Sequence, residues 1–462
     1  MSRRPLLTLM TASVLALTSV PAVSQMGGGG TGGGGMGGGG GMPAGGSMPG
    51  GSGTGNSGGM AGMAGMAGMS GSGQGGGMSG ARYERQMHAE ALQQGHRDLL
   101  DFDPRGNLVV RNEIVGFGAT AQGLANAQAA GFVIARRDAL TGMDGDIVVL
   151  TAPQGMSARK ALKRLRDIDP EAAYDFNHIY FSSAAGEVAS AAATVQVPKS
   201  TPPADDRDPA RRIGLIDGGV DVSHAALRSL TARIHGCGGA LIPSSHGTAT
   251  ASRLIAGFNS AAPTAKADLY LADVYCGLPT GGSTDAVIQA LAWLMQENVP
   301  VINVSLVGPP NALLQRVVGM ATARGHLIVA AVGNDGPAAP PLYPAAYPGV
   351  IAVTGVDRAD KVLIEAGHGK FIAFAAPGAD IEAASLPSGS SPVRGTSFAA
   401  PIVASRLALL LAHPDPVAAQ RAVSELVTSA VDLGSPGRDS VYGYGCIDCA
   451  DPKAEAGAAR AH

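Results

Sequence analysis
The chain has 462 residues, a net charge of −3, and 68 glycines, about twice the glycine share of roughly 7% usual in globular proteins. No strict three-residue glycine period runs along it, which excludes collagen, and the remainder is rich in Ala, Val, Leu and Ile, which excludes wholesale disorder. The near-neutral charge gives no electrostatic basis for a nucleic-acid partner.

Residues 1–24 read as an export signal. Met1–Arg4 is basic, Pro5–Val23 carries no charge, and Ala22-Val23-Ser24 offers small residues at a cleavage site after Ser24. Arg3-Arg4 also permits a twin-arginine signal. No stable membrane span is expected once the signal is removed, because no later apolar run of 18 residues lacks a charge. The expected location is secreted or periplasmic. Residues 25–80 form a Gly/Met/Ser-rich segment: 26–80 holds 30 of the glycines and 9 of the 16 methionines, with no charged or aromatic residue. Ordering so much glycine is entropically costly with nothing apolar to offset it, so a disordered tether is expected.

Residues 81–185 predict a small α+β domain. Ala81–Leu100 is helix-permissive. Asn107–Val110 and Glu113–Phe117 read as strands, then Ala119–Ala130 (helix), Phe132–Arg136 and Asp146–Leu150 (strands). Ser157 is placed as the cap of a helix through Ile168, and Tyr174–Ser182 reads as one closing strand. The βαββαβ order predicts a ferredoxin-like unit. Gly116-x-Gly118-x-x-Ala121, with Asp138 downstream, resembles a dinucleotide fingerprint. The unit is too short for a dinucleotide-binding sheet, and export separates it from cytosolic cofactors, so no cofactor is expected. Residues 186–209, with Pro198, Pro202, Pro203 and Asp205-Asp206-Arg207-Asp208, read as an exposed linker.

Residues 210–450 alternate short apolar strands (Ile213–Ile216, Ala267–Val274, Val299–Val304, His326–Ala331, Gly349–Val353) with helices (Thr248–Ala256, Thr284–Gln296, Ala312–Arg324, Phe398–Ala412). That pattern predicts an α/β fold, a parallel sheet with helices on both faces. Its active site would lie beyond the carboxyl ends of the strands. Four groups stand at such ends or open a helix: Asp217, His246, Asn334 and Ser397. Each alone could be a turn aspartate, a surface histidine, a loop asparagine or an N-cap serine. The set, in the order Asp, His, Ser, supplies a base, its orienting carboxylate, a nucleophile and an amide donor. Residues 451–462 are left as a tail.

The stretches IGLIDGGVDVSH, HGTATAS, VINVSLVGP, AAVGNDGP and RGTSFAAP, in that order across 211–448, resemble the subtilisin-like serine peptidases (subtilases). The resemblance implies an exported serine endopeptidase made as a zymogen and acting on peptides or proteins, with Ser397, His246 and Asp217 catalytic and Asn334 in the oxyanion hole. It implies that 107–182 is similar to the family's inhibitory propeptide, making the chain's own propeptide a partner, and that self-cleavage falls between Tyr180 and Arg211. It assigns substrate binding to Ser305, Leu306, Val307 and Gly308, to Gly281 and Gly282, and to Leu342. Leu342 stands where many relatives have Gly at the wall of the primary specificity pocket, so small P1 side chains are expected. Gly218 replaces the usual Thr or Ser, and Ala249 stands where a second His or similar residue often follows. The loop Gly257–Ala265 lacks the insertion that holds the family's strong calcium site, so no metal is expected there. Cys237 and Cys276 both lie near the catalytic site, which favours a bridge between them; Cys446 and Cys449 then pair locally or with nothing. The competing expectation is a catalytically inactive subtilase-fold binding or envelope protein.

Overall fold
The computed structural model describes residues 80–183 and 211–450, apart from 141, 142, 144, 228, 229, 241, 264 and 265. The expected signal peptide, nearly all of the Gly-rich segment, the linker and the tail lie outside the described residues.

The N-terminal part runs α1 (Gly80–Gly95), β1 (Leu100–Phe102), β2 (Leu108–Phe117), α2 (Ala121–Ala129), β3 (Val133–Ala139), β4 (Asp146–Thr151), α3 (Ala158–Ile168), β5 (Ala173–His178) and β6 (Phe181–Ser182). In the antiparallel sheet β4 pairs with β3 and β2, and β2 pairs with β5. The order β5-β2-β4-β3 is that of a ferredoxin-like unit. Strand β1 and helix α1 are additions before it, with β1 on the first residues of β2.

Three local expectations are corrected. The two strands expected over 107–117 are one strand, β2, whose pairing with β5 shifts register between Val109 and Ile114; Asn112 takes up the irregularity with φ +59°. Ser157 holds the N-cap position of α3 but its side chain makes no capping bond. The single strand expected over 174–182 is divided: β5 stays in the N-terminal sheet, and β6 leaves it to pair with a different edge.

Of the dinucleotide-like glycines, Gly116 has a packing role, whereas Gly118 turns the chain at φ +69° with open space around it. A Cβ on Gly116 would stand 2.5 Å from the Tyr174 ring. The N-terminus of α2, where a phosphate would bind, is filled by Asp169, whose carboxylate accepts from Thr120 N at 2.8 Å. Thr120 Oγ1 in turn accepts from Gly123 N.

The second part contains β7 (Arg211–Asp217), β8 (Thr231–His235), α4 (Ser245–Ala261), β9 (Ala267–Asp273), α5 (Thr284–Gln296), β10 (Val301–Val304), β11 (Leu306–Val307), α6 (Ala312–Ala323), β12 (Leu327–Ala331), β13 (Ile351–Val356), β14 (Ile372–Pro377), β15 (Ala379–Ala384), β16 (Ser390–Arg394), α7 (Thr396–Leu410) and α8 (Pro416–Ser429). Seven strands form a parallel sheet in the order β14-β13-β12-β10-β7-β9-β8. Side chains alternate between its faces, as a period of two requires. Ile213 and Leu215 pack with α4, α7 and α8. Ile216, Ile302 and Val304 pack with α5 and α6. The five strands read from apolar runs are all present. The two edges, β8 and β14, were not read: β8 is half polar (TARIH), and β14 lies in a long run without helical punctuation.

The two parts share a core. One face of the N-terminal sheet is covered by its own α2 and α3. Val115, Phe117 and Ile147 on the other face join the cluster of α5 and α6. Polar contacts ring this junction. Arg136 pairs with Asp285 at 2.7 Å, Asn177 donates to Glu113 and Asp285, and Asp175 accepts from Ala312 N at the start of α6.

Beneath it, His178 Nε2 lies 3.2 Å from Asp103 Oδ2, and His178 Nδ1 faces the Asn311 side-chain amide. Burial opposes the charge on Asp103. Hydrogen bonds from the His178 and Asn107 side chains and from Asn107 N and Arg105 N outweigh it and hold the carboxyl down at about 2. A depressed carboxyl contributes stability that is whole above its unfolded value near 3.8 and is lost as pH falls through 2. Asp103→Asn should therefore lower the unfolding temperature of the full chain at pH 6, and the gap to wild type should close between about pH 4 and 2. A gap of constant size across that window contradicts the assignment.

Candidate active site
The carboxyl edge of the parallel sheet gathers the groups singled out above. Asp217 is the last residue of β7. Its Oδ1 lies 2.9 Å from His246 Nδ1 and accepts from Gly218 N at 2.6 Å. His246 sits in the first turn of α4, which begins at Ser245 rather than at Thr248. The Ser244 hydroxyl caps that helix through Gly247 N. This explains Gly218: a Cβ there would stand 2.5 Å from Ser244 Oγ, so the side chain common in relatives has no room. Gly247 is required for a similar reason, because its Cβ would meet the carbonyls of Gly218 and Gly219.

Ser397 lies in the first turn of α7 and is buried. Helix α7 packs along α4, and the Phe398 ring lies against His246 with centroids 5.4 Å apart. Gly395, at φ +139°, turns the chain into α7 close to Asn334; a Cβ would come within 3.0 Å of its Nδ2.

Asn334 follows β12. Its Oδ1 accepts from Thr396 N, which leaves Nδ2 facing the cleft. Gly333 N donates to Thr396 Oγ1, so Thr396 braces this loop from two sides. Thr396 and Ser244 were not singled out from the sequence, although the first lies inside RGTSFAAP and the second is a Ser three residues before a helical glycine.

The chain fills this site with its own residues 179–183. Tyr180 N donates to Gly282 O at 2.8 Å, and Ile179 bridges Ser283. Strand β6 pairs antiparallel with β11, Phe181 opposite Val307 and Ser182 opposite Leu306. Ser183 N and Oγ both donate to Ser305 O at 3.1 Å. Ser183 O then accepts from Asn334 Nδ2. An extended segment is thus clamped between two edges, a β-augmentation. Of the glycine pair, Gly282 makes the edge contact. Gly281 lies behind it against Tyr275, where a Cβ would meet the Tyr275 backbone at 2.5 Å. Ser305 also holds the floor: its hydroxyl donates to Ser397 O and accepts from Asn303 Nδ2. Leu342 is buried against Gly333, where a Cβ would stand 2.6 Å from Leu342 Cδ1 and 3.2 Å from Val307 Cγ1.

Helix α1 covers the outer side of the segment. Its Ala89 and Leu92 pack with Ile179 and Phe181, and His88 lies 5.5 Å from the Phe181 ring. Arg85 forms a two-pronged pair with Asp335, the neighbour of Asn334. Nothing in the helix's polar sequence distinguished Arg85 from the other surface cations.

Cys237 and Cys276 are joined in a disulfide, Cα atoms 5.2 Å apart, between the chain after β8 and the chain after β9. Cys446 and Cys449 are joined as well. Beside the first bridge, burial pushes the Asp273 carboxyl up; the N–H groups of Cys276 and Tyr275 oppose this and the charge on Asp217 adds to it. Cys237, Asp273 and Cys276 are the one group of three metal-ligating types gathered among the described residues, and the two sulfurs are bonded to each other. Ser397 Oγ is buried and makes no hydrogen bond among the described residues, and Ser397 is brought to the site by the packing of α7 on α4 rather than by a bond to the imidazole. A carboxylate–imidazole pair, a serine on the adjoining helix and an amide N–H aimed into the cleft are a set able to move a hydroxyl proton and to hold a developing oxyanion.

Comparison with known proteins gives the family. The subtilase family (peptidase S8) model matches residues 210–445. The subtilisin of Bacillus pumilus is 34% identical over 51% of this chain and 88% of its own length. The minor extracellular protease Epr of Bacillus subtilis (strain 168) is 33% identical over 36% of this chain, a match spanning 26% of that protein. The crystal structure of fervidolysin from Fervidobacterium pennivorans superposes with a TM-score of 0.57 at 17% identity, covering 75% of this chain and 61% of that one; at that identity it speaks for the fold. No helix among the described residues is long and apolar enough to cross a membrane. The chain belongs to the subtilase family.

Proposed function
We propose that the protein is an exported serine endopeptidase, made as a zymogen that cuts itself between Ser183 and Ala184. The observation that carries this reading is the Ser183 carbonyl on the Asn334 amide, with its segment held on both edges of the cleft. A peptide carbonyl in that position is presented for attack.

In the reaction, Ser397 Oγ adds to the carbonyl carbon of Ser183 while His246 takes its proton. Asp217 fixes the imidazole through Nδ1 and stabilises its cation. The carbonyl oxygen becomes an oxyanion, held by Asn334 Nδ2 and the Ser397 N–H. When the C–N bond breaks, His246 returns the proton to the Ala184 amine. Water then adds to the acyl-enzyme, giving its proton to His246, and Ser397 leaves as the alcohol. Leu342 narrows the space beside Gly333, in keeping with the small side chain of Ser183 at P1.

Titration with a phosphonate serine probe tests this. The matured wild type should label stoichiometrically and Ser397→Ala not at all. Asn334→Ala should retain labelling while peptide hydrolysis falls by on the order of 10²–10³, the usual cost of one oxyanion donor. A wild type that neither labels nor hydrolyses peptides would be the inactive relative instead.

The same geometry makes residues 80–183 an inhibitor of the cut enzyme. After cleavage the segment 179–183 remains paired in the cleft, and α1 straps it there through Arg85–Asp335. Arg85→Ala should leave the cut unchanged by intact mass but shorten the delay before activity by about tenfold, the weight of one charge-assisted pair. An unaltered delay would remove α1 from the inhibitory device.

A further inference from the structure
The two donors proposed for the oxyanion, Asn334 Nδ2 and the Ser397 N–H, stand on loops far apart in the chain. Thr396 ties these loops once, through Asn334 Oδ1 and Gly333 N. A second tie runs through the segment after β13. Leu363 N donates to Gly355 O at 2.9 Å, and Leu363 and Ala366 are buried with Ala379. Residues 363–366 are therefore anchored on the end of β13 and the start of β15. From that footing Gly367 N donates to Gly333 O at 3.0 Å, and Glu365 O accepts from Gly336 N at 2.7 Å. Asn334 is thus flanked on both sides by bonds to one segment.

The Glu365 side chain reaches the other loop. Its carboxylate takes Arg394 in a fork, with Nε 2.8 Å from Oε1 and Nη2 donating to Oε2 at 3.0 Å. Arg394 is the last residue of β16, three residues before Ser397. The next residue, Gly395, donates its N–H to Gly378 O at 2.8 Å before the chain turns into α7. A two-pronged guanidinium–carboxylate contact fixes direction as well as distance, which a single bond or a lysine does not. One residue therefore holds the Asn334 loop with its backbone and the approach to Ser397 with its side chain. Arg394 is 50% exposed and Glu365 19%, so the pair adds little to stability, and its effect is on position. These groups all belong to the peptidase domain and stay when Arg85 leaves with α1.

We infer that Glu365 is a positioning residue of the peptidase reaction, setting the spacing of the two oxyanion donors by joining the Asn334 loop to the approach of Ser397. It acts through the two loops rather than on the reacting atoms. Losing the fork frees residues 363–366 to shift together with Gly336, and donors aimed at a developing charge lose most of their effect when misplaced by about 1 Å. The loss falls on the transition state and not on substrate binding, because the extended backbone in the cleft is held by Ser305, Val307 and Gly282, on other segments. This rests on the peptidase reading above.

The test uses the full-length protein after self-processing and the peptide Tyr-Phe-Ser-Ser, copied from residues 180–183, followed by a fluorogenic amine. Glu365→Ala should lower kcat about tenfold with KM changed by about twofold or less. The Ki of the matching peptide aldehyde, whose adduct places an oxyanion on the same donors, should rise by a like factor. The unfolding temperature should fall by no more than about 3 °C. Glu365→Gln, which keeps the volume, and Arg394→Lys, which keeps the charge without the fork, should each lower kcat by about threefold. Arg394→Lys carries the same test if Glu365→Ala does not mature. In an Asn334→Ala background the Glu365→Ala loss should shrink to about twofold or less, since one of the two aligned donors is gone. An unchanged kcat, a loss confined to KM, or an undiminished loss in the Asn334→Ala background overturns the inference and leaves the peptidase standing. A wild type that neither hydrolyses the peptide nor labels with the phosphonate overturns the peptidase reading and this inference with it.

Discussion
A single donated hydrogen bond, from the Asn334 side chain to the Ser183 carbonyl, marks the register in which residues 179–183 lie in the cleft. From it follow Ser183 against Ser305, β6 against β11, and Tyr180 between Gly282 and Gly308. The strand cannot slide by one residue, because period two would turn Tyr180 outward and bring Phe181 into its slot. That register also explains why the N-terminal sheet stops at His178. Its last strand has to leave to reach a second edge, and one run of residues serves both sheets.

Around this bond the fold supplies rigidity from several directions. Thr396 holds Asn334 from the backbone side. Ser305 ties the clamp to the Ser397 carbonyl. The Asp217–His246 pair is set by the end of β7 and the capped start of α4, and the Cys237–Cys276 bridge links the chain after β8 to that after β9. Groups placed by strand ends and helix starts vary little in position, which suits a site whose geometry must be present before the reacting carbonyl arrives.

Much of this was legible in the amino-acid order. Buried parallel strands announce themselves as short apolar runs, and the five central ones were found that way. Asp217 and Asn334 stood at or just past their ends, and His246 and Ser397 at the starts of helices, in sequences specific enough to carry a family resemblance. What was not legible depends on contacts far apart in the chain. The break between β5 and β6 leaves no mark in Tyr174–Ser182, which alternates like one strand. Gly218 read as a missing hydroxyl, and only the approach of Ser244 shows that a side chain has no space there. Arg85 is 250 residues from Asp335, and no local pattern reports that pairing.

In the proposed reaction the chain presents its own Ser183 carbonyl for attack. Terminal sequencing and intact mass of the self-processed protein test it most directly, with Ser397→Ala as the uncut control. One fragment should end at Ser183, its partner should begin at Ala184, and Ser397→Ala should stay uncut. A first cut elsewhere between Tyr180 and Arg211, or identical processing of Ser397→Ala in a purified system, would contradict it.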